Sequence, residues 1–230
     1  MNSETKIFKP KVIERLIDSK ETKDIIKCIL KVELQTIPIG EGGNAFIYIP
    51  TEETFANICI KKSKEKPQII YNTIDQEHEF QKEIKGLGIN TPATLLSFIN
   101  EDDGLSYFVM ERIKGHTVRE VIQDETLLPE NFNYEKFCNS LNEQISKMHK
   151  AGIFHRDLHS DNVMINENGS PVIIDFGTAT KGSGSDFTYE ESVEMFDKEK
   201  GRYNMVNGYF KDDLEMVRNI KDSLKKFMKI

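Results

Sequence analysis

The chain has 230 residues, 38% of them hydrophobic and 30% charged, with a formal charge of −7. It is long enough to bury a core without covalent staples, it lacks the composition of a disordered segment, and its acidic balance argues against nucleic acid as the main partner, because phosphate backbones attract basic faces. Cys28, Cys59 and Cys138 are odd in number and show no CxxC spacing, which points to neither a disulfide framework nor a zinc site.

No apolar run follows Met1 and none approaches about 18 residues, so neither a secretory signal nor a membrane span is expected, and the expected setting is the cytoplasm. Residues 10–31 carry helical periodicity, with Val12, Ile13, Leu16 and Ile17 on one stripe and Ile25, Ile26, Ile29 and Leu30 on a second. They read as a helical extension over 1–31 that packs on the main domain or binds a partner. From Val32 the pattern turns to strands: Val32–Ile39, Ala45–Pro50 and Ile58–Lys62. A helix is expected over 74–87, stopped by Gly86 and Gly88. Strands at Leu95–Ile99 and Tyr107–Glu111 follow, separated by a turn ending in Gly104. This order suggests an antiparallel sheet holding one helix. After Gly115 the character is helical, with a short piece at Val118–Gln123 and a long one at Tyr134–Ala151. A hairpin is expected from Asn162–Ile165 and Val172–Ile174 around the turn Asn166-Glu167-Asn168-Gly169. Gly/Ser-rich loop covers 181–185, and a last helix runs from Asp212 to Met228.

Three stretches can carry chemistry. Gly40-Glu41-Gly42-Gly43-Asn44-Ala45-Phe46-Ile47 is a glycine turn between strands; glycines let backbone N–H groups approach a polyphosphate closely. No Gly-Lys-Ser/Thr follows and no helix opens after it, so it is neither a Walker loop nor a dinucleotide turn, and by itself it reads better as a plain hairpin turn. Lys61, in the apolar strand Ile58-Cys59-Ile60-Lys61, needs a phosphate or carboxylate if buried; otherwise it is an outward edge lysine. The third stretch is the most specific. Ile153-Phe154-His155-Arg156-Asp157-Leu158-His159-Ser160-Asp161-Asn162 precedes Ile173-Ile174-Asp175-Phe176-Gly177. It offers two carboxylates and an amide beside rigid β-runs, hard oxygen donors that suit Mg²⁺.

His155-Arg156-Asp157-Leu158 with Asn162 resembles the protein-kinase catalytic loop H-R-D-L-x-x-x-N, and Asp175-Phe176-Gly177 resembles D-F-G. Beside this anchor, residues 40–47 resemble the kinase glycine loop, and Cys59-Ile60-Lys61 its A-x-K strand. The resemblance implies an α+β, bilobal protein-kinase-like fold. Its N-lobe with hinge would span 32–113 as an antiparallel sheet with one helix, and its mainly helical C-lobe, shortened, would span 114–230. It implies an ATP- and Mg²⁺-dependent phosphotransferase of the serine/threonine type acting on a protein, with Asp157 as base, Lys61 on the phosphates, and Asn162 and Asp175 on the metal. Glu79 best fits the spacing for the partner of Lys61, with Glu77 and Glu83 as alternatives. Met110 would be the gatekeeper, the backbones of Glu111 and Ile113 would meet the adenine edge, and Ile39, Ile47, Cys59 and Met164 would sandwich the ring. Gly40, Gly42, Gly43, Asn44 and Ala45 would cover the phosphates, and His155 and Phe176 would pack between the lobes.

The sequence departs from that pattern in places. Ala45 replaces the third glycine, and His159 stands where many serine/threonine kinases have lysine, as in the H-G-D-L-H-x-x-N loop of small-molecule kinases. No A-P-E follows Gly177. Asp213-Leu214-Glu215-Met216-Val217 resembles the start of the long central helix of the C-lobe, and the short lobe resembles the effector kinases that bacterial pathogens deliver into host cytosol. That resemblance implies a partner protein that supplies missing surface or activation. The rival readings are a small-molecule kinase and a partner-binding module on a kinase scaffold.

Overall fold

The computed structural model describes residues 10–12, 37–65, 69–70, 72–100, 103–182, 189–197, 202–210 and 212–230. In chain order, the upper part comprises β1 (Pro10–Val12), β2 (Gly40–Glu41), β3 (Ala45–Tyr48), β4 (Ile58–Ser63), β5 (Ile69–Ile70), α1 (Ile74–Gly86), β6 (Thr94–Asn100) and β7 (Ser106–Glu111). Six of these strands form one sheet in the order β1-β6-β7-β4-β3-β2, antiparallel at every pairing. Its middle strands are apolar on both faces. Ile58, Ile60, Leu96, Phe98 and Val109 fill one side, while Ala45 and Phe108 meet Ile74 of α1 on the other.

Helix α1 starts at a capping box in which the Thr73 hydroxyl accepts from Gln76 N–H and the Gln76 side chain accepts from Thr73 N–H. Its buried residues are Ile74, Glu77, His78, Gln81 and Ile84, a stripe at helical spacing.

The lower part continues with β8 (Gly115–Thr117), α2 (Val118–Gln123), α3 (Tyr134–Lys150), β9 (Ile153–Phe154), β10 (Val163–Asn166), β11 (Pro171–Ile173), β12 (Thr180–Lys181), β13 (Tyr189–Asp197), β14 (Arg202–Phe210) and α4 (Asp213–Met228). Helices α2, α3 and α4 are capped at Thr117, Asn133 and Asp212. Their core includes Val118, Phe137, Leu141, Met148, Val217 and Ile220. Ile84 of α1 and Phe176 belong to the same cluster, so one apolar contact zone joins the upper helix to the lower lobe. Gly115 has φ of 148° where β8 lies against β10; a Cβ there would overlap the Ile165 carbonyl, which leaves glycine as the residue that fits.

Most expected elements are found within a residue or two. Three differ. Residues 10–12 pair as an edge strand with Asn100, Ile99 and Phe98, not as the start of a helix; the unpaired backbone of an outer strand is a ready partner, and proline is tolerated on an edge. The rest of the expected N-terminal helical stretch, 13–31, lies outside the described residues, as do 32–36 of the first expected strand. Ile39 is not itself a strand residue, yet its N–H donates to Ile47 O at 2.8 Å and continues the pairing. The third difference is the long hairpin β13–β14, which sequence reading left unassigned; β13 also pairs with β5.

Candidate active site

The catalytic-loop residues sit between β9 and β10, and Asp175 follows β11. Ile174 N–H donates to Asn162 O at 3.0 Å, and Val163 lies opposite Ile173. The hairpin therefore brings Asn162 and Asp175, 13 positions apart in sequence, to its same open end. Asn162 donates from Nδ2 to Asp157 O at 2.8 Å, which spends the amide nitrogen on the loop and leaves Oδ1 as the donor atom for a cation. The Asp157 carboxylate is half exposed, whereas His155, Arg156 and Leu158 around it are buried. The reactive group faces outward from a packed frame.

Buried Lys61 is the electrostatic centre. Its Nζ lies 2.6 Å from Glu77 Oε1 and 2.9 Å from Asp175 Oδ1. Burial alone would lower its pKa, but the Asp175 and Glu77 carboxylates outweigh that and raise it, so the ammonium stays charged. Burial raises Glu77 to about 7 against the pull of Lys61. Asp175 is opposed by burial as well, yet Lys61 holds it below the ordinary carboxylate range. Once Glu77 is ionised, one cation serves two carboxylates and the trio carries one negative charge in excess, a setting that favours a further cation.

This settles the partner of Lys61 as Glu77, a correction to the expected Glu79. Positions 77 and 79 differ by about 200° around a helix, and the stripe Ile74, Glu77, Gln81 and Ile84 turns Glu77 inward. Glu79 is exposed beside His78 at 3.3 Å, and Glu83 pairs with Lys181 at 2.7 Å. The apolar spacing from Ile74 to Ile84 was the signal that would have chosen correctly.

Beneath the loop lies a residue whose role sequence reasoning missed. Asp213, 2% exposed, accepts from His155 N–H and Arg156 N–H, both at 2.8 Å, and from His149 Nε2 at 2.9 Å. It thereby fixes Arg156 in a left-handed conformation, φ 70°, that a non-glycine residue rarely adopts. His155 lies 3.0 Å from Ile174 O through Nε2; a carbonyl only accepts, so that nitrogen carries the proton, and Nδ1 accepts from Asp157 N–H at 3.4 Å. The His155 and Phe176 rings pack 5.0 Å apart, as expected. Arg156 Nε donates to Thr180 Oγ1 at 3.1 Å and its guanidinium covers the Phe154 ring at 4.6 Å.

The glycine turn closes through Gly42 N–H on Ala45 O at 2.9 Å. A Cβ at Gly42 would meet nothing nearer than that carbonyl at 3.8 Å, so packing does not require glycine; its absence of side chain keeps the turn's backbone open to a ligand. Gly40 lies opposite Ile47 and Cys59 opposite Met110, which sets these expected ring contacts on adjoining strands, with Met164 on β10 below and Ile39 exposed at the rim. Burial pushes the Cys59 thiol up to about 12, so it is an inert packing group. β7 ends at Glu111, whose N–H donates to Ala93 O; Ile113 follows, half-buried.

His159 bridges two carboxylates, with Nε2 3.4 Å from Asp157 Oδ2 and Nδ1 3.1 Å from Asp161 Oδ2. The hydrogen bond to Asp157, opposed by burial, raises its pKa. A cavity of about 410 Å³ opens beside these residues, lined also by Arg119, Asn219 and Ser223. Among the described residues no group of three or more His, Cys, Asp and Glu could hold a metal. Asn162 Oδ1 and the Asp175 carboxylate are hard oxygen donors of the kind Mg²⁺ takes, and they would fit it. No helix among the described residues is long and apolar enough to cross a membrane.

A lysine–glutamate pair spanning sheet and helix, an H-R-D-L loop pinned from below, and a D-F-G aspartate against the same lysine define a kinase-type site. The protein kinase domain family matches residues 30–195, and the chain belongs to that family. It is similar to a probable serine/threonine-protein kinase of Clostridium perfringens, 30% identical over 165 residues, 67% of this chain and 22% of that protein. It is also similar to a probable serine/threonine-protein kinase of Streptomyces coelicolor, 32% identical over 113 residues, 46% and 16% of the two chains. A third relative is a probable bifunctional tRNA threonylcarbamoyladenosine biosynthesis protein of Methanothermobacter thermautotrophicus, 30% identical over 155 residues, 64% and 26%. The matched region thus makes up about a quarter or less of each of these relatives.

Proposed function

We propose that the chain is an ATP- and Mg²⁺-dependent kinase that phosphorylates a serine or threonine hydroxyl of a protein. The observation that carries this reading is the assembled Lys61 centre, with Glu77 at 2.6 Å and Asp175 at 2.9 Å. In this reading Lys61 neutralises phosphate oxygens. Asp157 orients the acceptor hydroxyl and takes its proton as the oxygen attacks the terminal phosphorus; the bond from that phosphorus to the bridging oxygen breaks and ADP leaves. Asn162 and Asp175 would hold Mg²⁺, which when bound would neutralise charge at the phosphates. Proton acceptance of this kind is worth about 10²–10⁴-fold, and positioning and electrostatics supply the remainder.

The reading is tested with purified protein, Mg²⁺ and labelled ATP, alone and with a cell lysate. Wild type should label itself or lysate proteins, while Asp157→Asn and Asp175→Ala should lose transfer by about 10² or more with an unchanged far-UV circular dichroism spectrum. Undiminished transfer by Asp175→Ala would refute the metal role. A second reading, a kinase for small alcohols, draws on the cavity beside Asp157 and on His159 in the catalytic loop; aminoglycoside- and sugar-like acceptors outcompeting lysate protein in the same assay would favour it.

A further inference from the structure

We propose that Asn72 is a positioning residue for phosphoryl transfer: it fastens the start of α1 to the loop after Asp175 and so holds Glu77 against Lys61. The proposal rests on the kinase reading above for its effect on turnover. Asn72 stands directly before the helix cap Thr73. Its backbone N–H donates to Gly177 O at 3.0 Å, and its side-chain Nδ2 donates to Phe176 O at 3.2 Å and Ala179 O at 2.9 Å. All three donors of one residue thus meet carbonyls of a single four-residue loop.

The links close into a circuit. That loop directly follows Asp175, which holds Lys61 through Oδ1 and receives the Gly177 N–H on the same oxygen at 3.3 Å. Lys61 holds Glu77. Glu77 returns to Asn72 through the first turn of α1, stiffened by its capping box. Anchoring Asn72 therefore fixes the height and rotation of the helix that presents Glu77. The strand β5 (Ile69–Ile70) pairs with β13. A further tie between α1 and this segment, Lys181 to Glu83, is exposed on both sides and contributes little. The chemistry calls for asparagine: a planar amide offers two N–H bonds on one nitrogen, serine offers one, and aspartate at neutral pH offers none.

The test compares wild type with Asn72→Asp, nearly the same shape but with a carboxylate facing the Phe176 and Ala179 carbonyls, and with Asn72→Ala. Both should lower kcat about ten- to a hundredfold, the scale of a misplaced reacting group, with little change in KM for ATP. Combined with Glu77→Gln, Asn72→Asp should cost scarcely more than Glu77→Gln alone, since residues acting through one another are not additive. Amide hydrogen exchange at Phe176 and in the first turn of α1 should quicken in Asn72→Asp. A wild-type kcat in both variants, or full additivity with Glu77→Gln, would overturn the proposal, as would loss of folding in both, which would make Asn72 a stability residue. If wild type itself transfers no phosphate the kinase reading fails, and hydrogen exchange still decides the anchor: unchanged exchange in Asn72→Asp removes it.

Discussion

Replacing Asp213 by alanine should destabilise the protein severely although the residue lies outside the cleft. The carboxylate is 2% exposed and accepts from two backbone N–H groups and from His149. Without it the N–H groups of His155 and Arg156 are stranded in the interior, at about 1–3 kcal/mol each, and His149 loses its partner; the loss of one member of a buried charged network is typically about 3–5 kcal/mol. For a chain of this size that corresponds to a fall in Tm of about 6–20 °C. The pH dependence has a definite sign. Burial alone would raise the pKa of Asp213, but the His149 hydrogen bond, nearby His155 and the two backbone N–H groups outweigh it and hold the group below its ordinary range. A depressed carboxylate contributes stability above its unfolded pKa of about 3.9 and loses it as pH falls through the folded value. Differential scanning calorimetry of wild type and Asp213→Ala from pH 7 down to the acid transition should therefore show a gap that is full at neutral pH and narrows below about pH 4. A Tm within error of wild type at pH 7, or a gap that grows on acidification, would refute the reasoning.

Glu77→Gln should reduce phosphate transfer strongly while Glu79→Gln leaves it near wild type, because only Glu77 reaches Lys61; equal effects in a labelled-ATP assay would contradict the assignment. Lys61→Met should abolish turnover and leave Glu77 and Asp175 without their shared cation. Glu77, already raised to about 7, would move further up. Because a carboxylate with a raised folded pKa loses stability from its unfolded value of about 4.3 up to its folded one, wild type and variant should lose alike up to about pH 7, and the Tm of the variant should fall relative to wild type as pH rises beyond about 7, measured by thermal melts from about pH 5 to about pH 9. Gly115→Ala should destabilise by several kcal/mol or prevent folding, since its φ of 148° and the Ile165 carbonyl leave no room for a methyl group; a well-folded variant with unchanged Tm would show that the β8–β10 approach can relax.

Much of this was legible from short-range chemistry. The catalytic loop and D-F-G declare themselves because hard oxygen donors and their spacing are written contiguously, and the hairpin that unites Asn162 with Asp175 follows from two apolar runs about a turn ending in Asn-Gly. Alternating or continuous apolar runs marked β4, β6 and β7 within a residue or two of their observed ends. The choice among Glu77, Glu79 and Glu83 was open in spacing but decidable in phase. Asp213 and Asn72 were harder: each looks in sequence like an ordinary residue near a helix start, and each acquires its role from backbone groups 57 and 104 or more positions away.

The sequence by itself marked Lys61, Asp157, Asn162 and Asp175 as the candidate ammonium, carboxylates and amide, and it marked most of the helices and strands but neither the edge strand at 10–12 nor the β13–β14 hairpin, since motif chemistry and hydrophobic period are local properties. Only the tertiary structure decided which glutamate faces Lys61, what pins the catalytic loop from below, and that the segment after Asp175 is tied to the first turn of α1. These depend on the meeting of backbone carbonyls and N–H groups that every residue carries alike, and a pattern of side chains cannot reveal which of those identical groups will find each other.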